Sequence, residues 1–412
     1  MKLVVRLFFF FFVSILMSPS LMSQSQRQIN EQLAHGFFNN KDYEKAAELY
    51  QQLYIDNRNY YYFSQYIECL IFLERFDDAE RDLRSFVRTD NTINKWKSQV
   101  YLAYVLLQNN EKDKSDKILK KLINDLPANK NTFIIVANLM RSKDFNEFAI
   151  MLYDRGADIS SMDYKFFMEK ADAYQYIRNY EKAIDNYLLY LEDDPNTYDI
   201  VKSRLAFLLR YDVDDAATES MRYALLKKVQ DDSENEIYAE LMVWYALQVN
   251  DYEMALKQEL ALDKRFGDRE YDIIYLAKIA CDNEQYDIAI SAYDYLVKKS
   301  TEGAYYAESV VGKIEAEYMN VEKLNYGASG VEWFSDFEKR IEKECQNLGI
   351  YDKTIPILII RADILAYRLN EYENAINLLE NALNVNITRY NKARLKMKLA
   401  DIYLFKEEVW EA

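Results

Sequence analysis

His35 is the only histidine in the chain, so proton shuttling or a histidine metal centre has one imidazole and nothing to complete it. Its place next to Ala34 suits a structural or surface role. Three cysteines, Cys69, Cys281 and Cys345, are far apart, odd in number and without CxxC spacing. That excludes a disulfide framework and leaves each as a small apolar residue within a helical stretch. The acidic pairs Asp193 and Asp194, Asp214 and Asp215, and Asp231 and Asp232 could in principle bind calcium or exchange protons. None has the DxDxDG spacing of a calcium loop, and each falls between helical stretches, where Asp caps helix starts. No GxxxxGK[ST] or GxGxxG phosphate loop occurs. The expectation is a protein without catalytic residues, metal or cofactor.

The elements that would position any site are helical. Only 8 Gly and 4 Pro occur among 412 residues, too few for the turns of a sheet protein of this length. A net charge of -16 repels phosphates over most of the surface, so nucleic acid is not an expected partner. The 36 Tyr and 21 Phe supply large packing residues, with the tyrosine hydroxyl free to stay at the wet edge of a helix contact.

Residues 1–23 read MKLVVRLFFFFFVSILMSPSLMS. Lys2 and Arg6 lead into an apolar run from Leu7 to Met17, and small polar residues follow, which is the pattern of a secretory signal peptide. The run is shorter than the roughly 20 residues that span a bilayer, and Pro19 interrupts it. Cleavage is expected after Ser23, and removal of Lys2 and Arg6 takes the net charge to -18. No cysteine stands near Ser23 to carry a lipid, so the expected location is the periplasm or the cell envelope. No later run is long enough to cross a membrane.

A pattern recurs along the rest of the chain. An aromatic residue at the start of a helix is followed three residues later by alanine: Tyr43 and Ala46, Phe76 and Ala79, Tyr180 and Ala183, Tyr252 and Ala255, Tyr286 and Ala289, Tyr372 and Ala375. Weaker copies are centred on Lys112, Phe145, Val213 and Val321, giving intervals near 34 residues. In the fourth unit Phe148 falls where the small residue belongs. Each unit reads as two antiparallel helices around a polar turn, the alanine admitting close approach and the aromatic residue plugging the corner.

Leu33, Ala34, Phe37, Ala46 and Tyr50 in the first unit, and Ala171, Tyr174, Ala183, Tyr187 and Pro195 in the fifth, fit the pattern of the tetratricopeptide repeat. The chain resembles that family over about residues 28–412, and in particular its large secreted members in Gram-negative bacteria. Pro127 closes the third unit as Pro195 closes the fifth. The resemblance implies an all-α, right-handed α-solenoid of tandem antiparallel helix pairs, with first-helix residues lining a concave face that binds protein segments. On that register the face carries Tyr61, Glu68, Tyr104, Phe133, Asp172, Tyr176, Trp244, Lys278 and Asp282.

The interval from Val321 to Tyr372 is too long for one unit, and residues 324–356 contain three of the eight glycines. The expected organisation is a leader (1–23), a repeat array with an irregular tail (24–348) and further repeats (349–412). A break falls near Gly349 to Pro356. The final segment, with Val409 at the turn and Ala412 at the small position, stops after one helix and reads as a truncated repeat. The expected function is a non-enzymatic scaffold for envelope or secreted proteins. Two alternatives are the sensor portion of a longer membrane receptor and a carbohydrate-binding helical-repeat protein.

Overall fold

The computed structural model describes residues 26–159, 161–323 and 330–406. The leader and the turn expected around Val409 lie outside them. Every regular element among the described residues is helical, and none of these helices is long and apolar enough to cross a membrane.

The chain divides into two compact units, Met1–Ala217 and Thr218–Ala412. In the first, α1 (residues 26–39) is followed by α2 (Tyr43–Asn57), α3 (Tyr60–Phe72), α4 (Phe76–Thr89), α5 (Ile93–Gln108), α6 (Lys112–Asp125), α7 (Lys130–Ser142), α8 (Asn146–Asp158), α9 (Phe167–Tyr176), α10 (Tyr180–Asp193) and α11 (Tyr198–Arg210). Helix α12 (Ala216–Asp231) leads into the second unit, which continues with α13 (Glu236–Gln248), α14 (Tyr252–Phe266), α15 (Glu270–Asp282), α16 (Tyr286–Lys299), α17 (Tyr306–Lys323), α18 (Val331–Leu348), α19 (Ile355–Asp363), α20 (Tyr372–Leu383) and α21 (Arg389–Phe405). Within each unit most consecutive helices pack on one another, and α5 packs on α7 and α6 on α8 across the repeat boundary. This is an all-α tandem array of helix pairs.

The paired pattern in the sequence is the packing code of these pairs. Ala46, Ala79, Ala183, Ala255, Ala289 and Ala375 are each fully buried, and Ala46 shares its core cluster with Ala34 of the preceding helix. The aromatic anchors Tyr43, Phe76, Tyr180, Tyr252, Tyr286 and Tyr372 each begin a second helix.

Each of these pairs turns in the same way. Two residues before the second helix, the backbone is left-handed at Lys41, Glu74, Asn110, Asp144, Arg178, Asn250, Glu284 and Asn370, with φ between 55° and 62°. The following amide then reaches back to the end of the first helix, as from Asp42 to Phe37 O (2.9 Å), Phe145 to Met140 O (2.9 Å) and Gln285 to Ala280 O (2.8 Å). This closure satisfies carbonyls that the helix end would otherwise leave unpaired.

The turn geometry corrects three readings. Phe145 makes the hydrogen bond that Asp42 makes in the first repeat, so it is the residue before α8 and not the first residue of it. The small position is then Ala149, which is fully buried, and Phe148 does not occupy it. Val213 is 90% exposed in the loop before α12, and Val321 lies within α17; neither is a turn anchor. α17 and α18 are each 18 residues long, against 13 to 15 in α13 to α16. Residues 349–354 form the turn from α18 into α19, which begins with Ile355 and Pro356, and one core cluster joins Phe337, Ile341 and Cys345 to Ile355, Leu358 and Ala375.

In the second unit, charge is packed between repeats. Arg269, just before α15, pairs with Glu240 at 2.6 Å and with Glu236 of α13, and with Asp272 at 3.4 Å. Asp263 of α14 receives Lys299 at 2.8 Å and the Tyr295 hydroxyl at 2.7 Å. Beside them Glu259 is only 4% exposed, and its Oε1 has no hydrogen-bond partner among the described residues. Burial, reinforced by Asp272, pushes its carboxyl up to about 7, with Arg269 opposing.

Two outcomes follow from these elements. A left-handed non-glycine residue is disfavoured by about 1–2 kcal/mol, part of which glycine returns through its freer unfolded chain. Glu74→Gly, at an exposed turn, should therefore raise stability by up to about 1 kcal/mol in urea unfolding. Because the Glu259 carboxyl binds its proton more tightly when folded, its contribution is complete below pH 4.5 and is lost as the pH rises towards 7. The loss is on the order of 3 kcal/mol at about 1.4 kcal/mol per unit. Glu259→Gln should flatten that slope in urea midpoints measured across the interval.

Candidate functional site

Counting back from the left-handed turn residue places equivalent side chains on one face of every first helix. Positions thirteen, nine, six and two before that residue lie at i, i+4, i+7 and i+11 and so share a face. In the first unit, His35, Glu68, Tyr104, Asn138 and Asp172 stand at the six-before position. Tyr61 stands at the thirteen-before position, and Phe72 and Tyr176 at the two-before position. In the second unit, Trp244 and Lys278 take the six-before position, Asp282 the two-before, and Tyr271 and Tyr275 complete the row on α15.

Several of these groups are open to solvent. Phe72, Tyr176, Tyr271 and Tyr275 are each more than half exposed, and Tyr61 is 39% exposed. Lys278 and Asp282 are exposed and Trp244 is half-buried. Phe133 departs from expectation: it is fully buried and stacks on Phe166 at 6.0 Å. A Cβ on Gly156 would lie 2.8 Å from its ring. Phe133 is a core residue that fills the space this glycine leaves, and Ile135 and Asn138 occupy the corresponding face of α7.

Contacts between successive repeats tie the face together in the first unit. His35 Nε2 lies 3.1 Å from the Tyr61 hydroxyl. The Tyr176 hydroxyl donates to Asp144 at 3.1 Å. Arg141 donates to the Asp172 carbonyl at 3.1 Å, and within its own repeat the Asp172 carboxylate accepts from Tyr187 at 2.8 Å. One contact skips a repeat altogether: Lys143, in the turn after α7, pairs with Glu68 of α3. Its ammonium lies 4.9 Å from the ring centres of both Tyr101 and Tyr104, on α5 between them. The lysine and glutamate side chains are 13% and 17% exposed. Burial, and after it the Glu68 charge, raises the Tyr101 and Tyr104 hydroxyls above the ordinary tyrosine range, so both stay neutral hydrogen-bonding groups.

In the second unit Lys278 pairs with Glu308 at 2.7 Å, and Lys353 approaches the same carboxylate at 3.7 Å.

Lys143, Asp144, Tyr101, Tyr271 and Tyr275 were not singled out by the sequence. Tyr271 and Tyr275 were accessible to it, since they stand seven residues before Lys278 and Asp282 on the same helix face. Lys143 and Asp144 were not, because a polar turn reads as solvated surface.

The reactive side chains elsewhere are muted. Burial pushes the Cys69 thiol up to about 12 and the Cys281 and Cys345 thiols up to about 11, which suppresses thiolate formation. Asp194 caps a short turn by accepting from the Asn196 amide at 3.0 Å, and Asp214 pairs with Arg178 at 2.9 Å. No group of three His, Cys, Asp or Glu among the described residues is disposed to hold a metal ion.

No family model matches the chain, and no curated protein matches it. Among solved structures it is similar to the C-terminal part of a tetratricopeptide repeat-containing protein from Cytophaga hutchinsonii, at 17% identity over 68% of this chain and 98% of that one, with a TM-score of 0.28. It is also similar to yeast Tom70, at 13% identity over 93% and 97% with a TM-score of 0.27. A tetratricopeptide repeat protein from Parabacteroides merdae gives 14% identity over 75% and 98%, with a TM-score of 0.22. Likeness at this level says nothing of function, and the fold assignment stands on this chain's own helix pairs, buried alanines and turns.

The two ion pairs on the face should respond differently to truncation. Glu68→Ala leaves Lys143 without its counter-charge in a largely buried place, at a cost of about 3–5 kcal/mol. Lys278→Ala opens an exposed pair and should cost under about 1 kcal/mol. Urea unfolding of the two variants beside the parent protein measures both.

Proposed function

We propose that the protein is a non-enzymatic scaffold that binds a segment of another protein along the first-helix face of its first unit. The observation that carries this reading is the row of exposed aromatic side chains on one face of the first helices, Tyr61, Phe72 and Tyr176, interleaved with polar groups held by neighbouring repeats. Aromatic rings supply contact area with few rotors to freeze, and fixed polar groups between them select register along a bound chain.

The leader at residues 1–23, with Lys2 and Arg6 ahead of its apolar run, supports export. We place the working protein in the periplasm or cell envelope and its partners among envelope or secreted proteins.

A photo-reactive phenylalanine at Tyr61 or Tyr176, in protein expressed in its host, tests the reading against the same group at Gln52, which is exposed on the second helix α2. Crosslinked protein partners should be recovered from an envelope fraction through positions 61 and 176 and not through 52. Intact-mass measurement of the recovered protein should show a chain beginning at Gln24. Equal crosslinking from all three positions would remove the face assignment, and a chain retaining residues 1–23 in the cytoplasmic fraction would remove the export assignment.

A further inference from the structure

We propose that Glu68, Tyr101 and Tyr104 form an ammonium-binding cage that takes a lysine side chain of the protein partner, and that Lys143 closes this cage in the free protein. This rests on the reading of the first-helix face as the binding face. A carboxylate and two tyrosine rings are the groups that recognise a primary ammonium, one by charge and hydrogen bonding, the others through the negative faces of their rings. The cage works as such already, because Lys143 pairs with Glu68 while its ammonium sits 4.9 Å from both ring centres.

Its present occupant comes from a distance. The other hydrogen bonds described above between repeats of the first unit join neighbours, with separations of 26 residues between His35 and Tyr61, 31 between Arg141 and Asp172, and 32 between Asp144 and Tyr176. Glu68 and Lys143 are 75 residues apart. Lys143 lies in a turn at the end of α7, and its long flexible stem can swing to solvent without unwinding a helix. Exchange with an incoming lysine replaces one ammonium by another, so neither Glu68 nor the two rings is left without a partner. The chain's net charge of -16 favours the approach of a basic segment. Glu68 and Tyr104 stand at the same position of successive repeats, so a bound chain running along the face would pass over the cage.

Chemical rescue tests the cage in the full-length protein. Lys143→Ala empties it, and n-butylammonium, which reproduces the missing side chain, should then raise the urea midpoint saturably above the effect of potassium chloride at equal ionic strength. The gain should be absent in Glu68→Gln/Lys143→Ala. A lysine-bearing pentapeptide of otherwise glycine residues should bind Lys143→Ala about tenfold more tightly than the parent, whose cage is already filled. Should Lys143→Ala not fold, Lys143→Met keeps the stem between the rings, and methylammonium becomes the probe. Rescue no greater than that of potassium chloride, or rescue that persists without the Glu68 carboxylate, overturns the cage even where crosslinks from Tyr61 and Tyr176 are obtained. Loss of those crosslinks overturns the binding face, and with it the partner's use of the cage, even where the amine rescues.

Discussion

The close contact between the two helices of a repeat, made possible by an alanine with no exposed surface, is the constraint from which the rest of the structure follows. At Ala46, Ala183, Ala289 and their equivalents, any larger side chain would hold the second helix away from the first. The ring that begins the second helix would then no longer close the corner. Protein interiors pack at crystal-like density and resist even an added methylene, so a one-carbon side chain at one position fixes the spacing of the pair. The left-handed residue ahead of the second helix sets its direction, and the two together bring the first helices of successive repeats into register. The face carrying Tyr61, Glu68, Tyr104, Asp172 and Tyr176 is a product of that register.

Much of this was legible in the sequence because the repeating pair of an aromatic residue and an alanine states its own geometry. The anchors at Tyr43, Phe76, Tyr180, Tyr252, Tyr286 and Tyr372 all open second helices. Where the pattern loses one member, register becomes ambiguous by a residue. In the fourth repeat, taking Phe145 as the anchor puts Phe148 at the small position, and the hydrogen bond from Phe145 to Met140 shows that the register is one residue later, with Ala149 the small residue. At 3.6 residues per turn, one position is about 100° of rotation. Two positions are then about 200°, which is why Phe133, two before Ile135 on the exposed face of α7, points into the core.

The long-range contacts were not legible. A lysine followed by an aspartate at a turn is the ordinary composition of solvated loops, and nothing local to Lys143 and Asp144 shows that each reaches another repeat. Nor does the sequence distinguish the buried charges of the second unit, where Glu259 and Asp263 are four residues apart on one helix and only Asp263 receives Lys299 and Tyr295. Periodicity encodes which face a residue occupies, whereas the partner it finds there depends on the side chains of a different repeat.

The bond between Lys143 and Glu68 also bears on how this chain would respond to a mechanical load. In an array whose repeats touch only their neighbours, tension applied at the ends can peel away one helix pair at a time. Here 75 residues separate the two ends of a single ion pair, enclosing roughly 250 Å of fully extended chain at about 3.4 Å per residue. While that pair holds, it opposes separation of the turn after α7 from the helix α3 in addition to the contacts each repeat makes with its neighbours. Opening the repeat between them under load therefore requires breaking a bond that neither of its own helices makes.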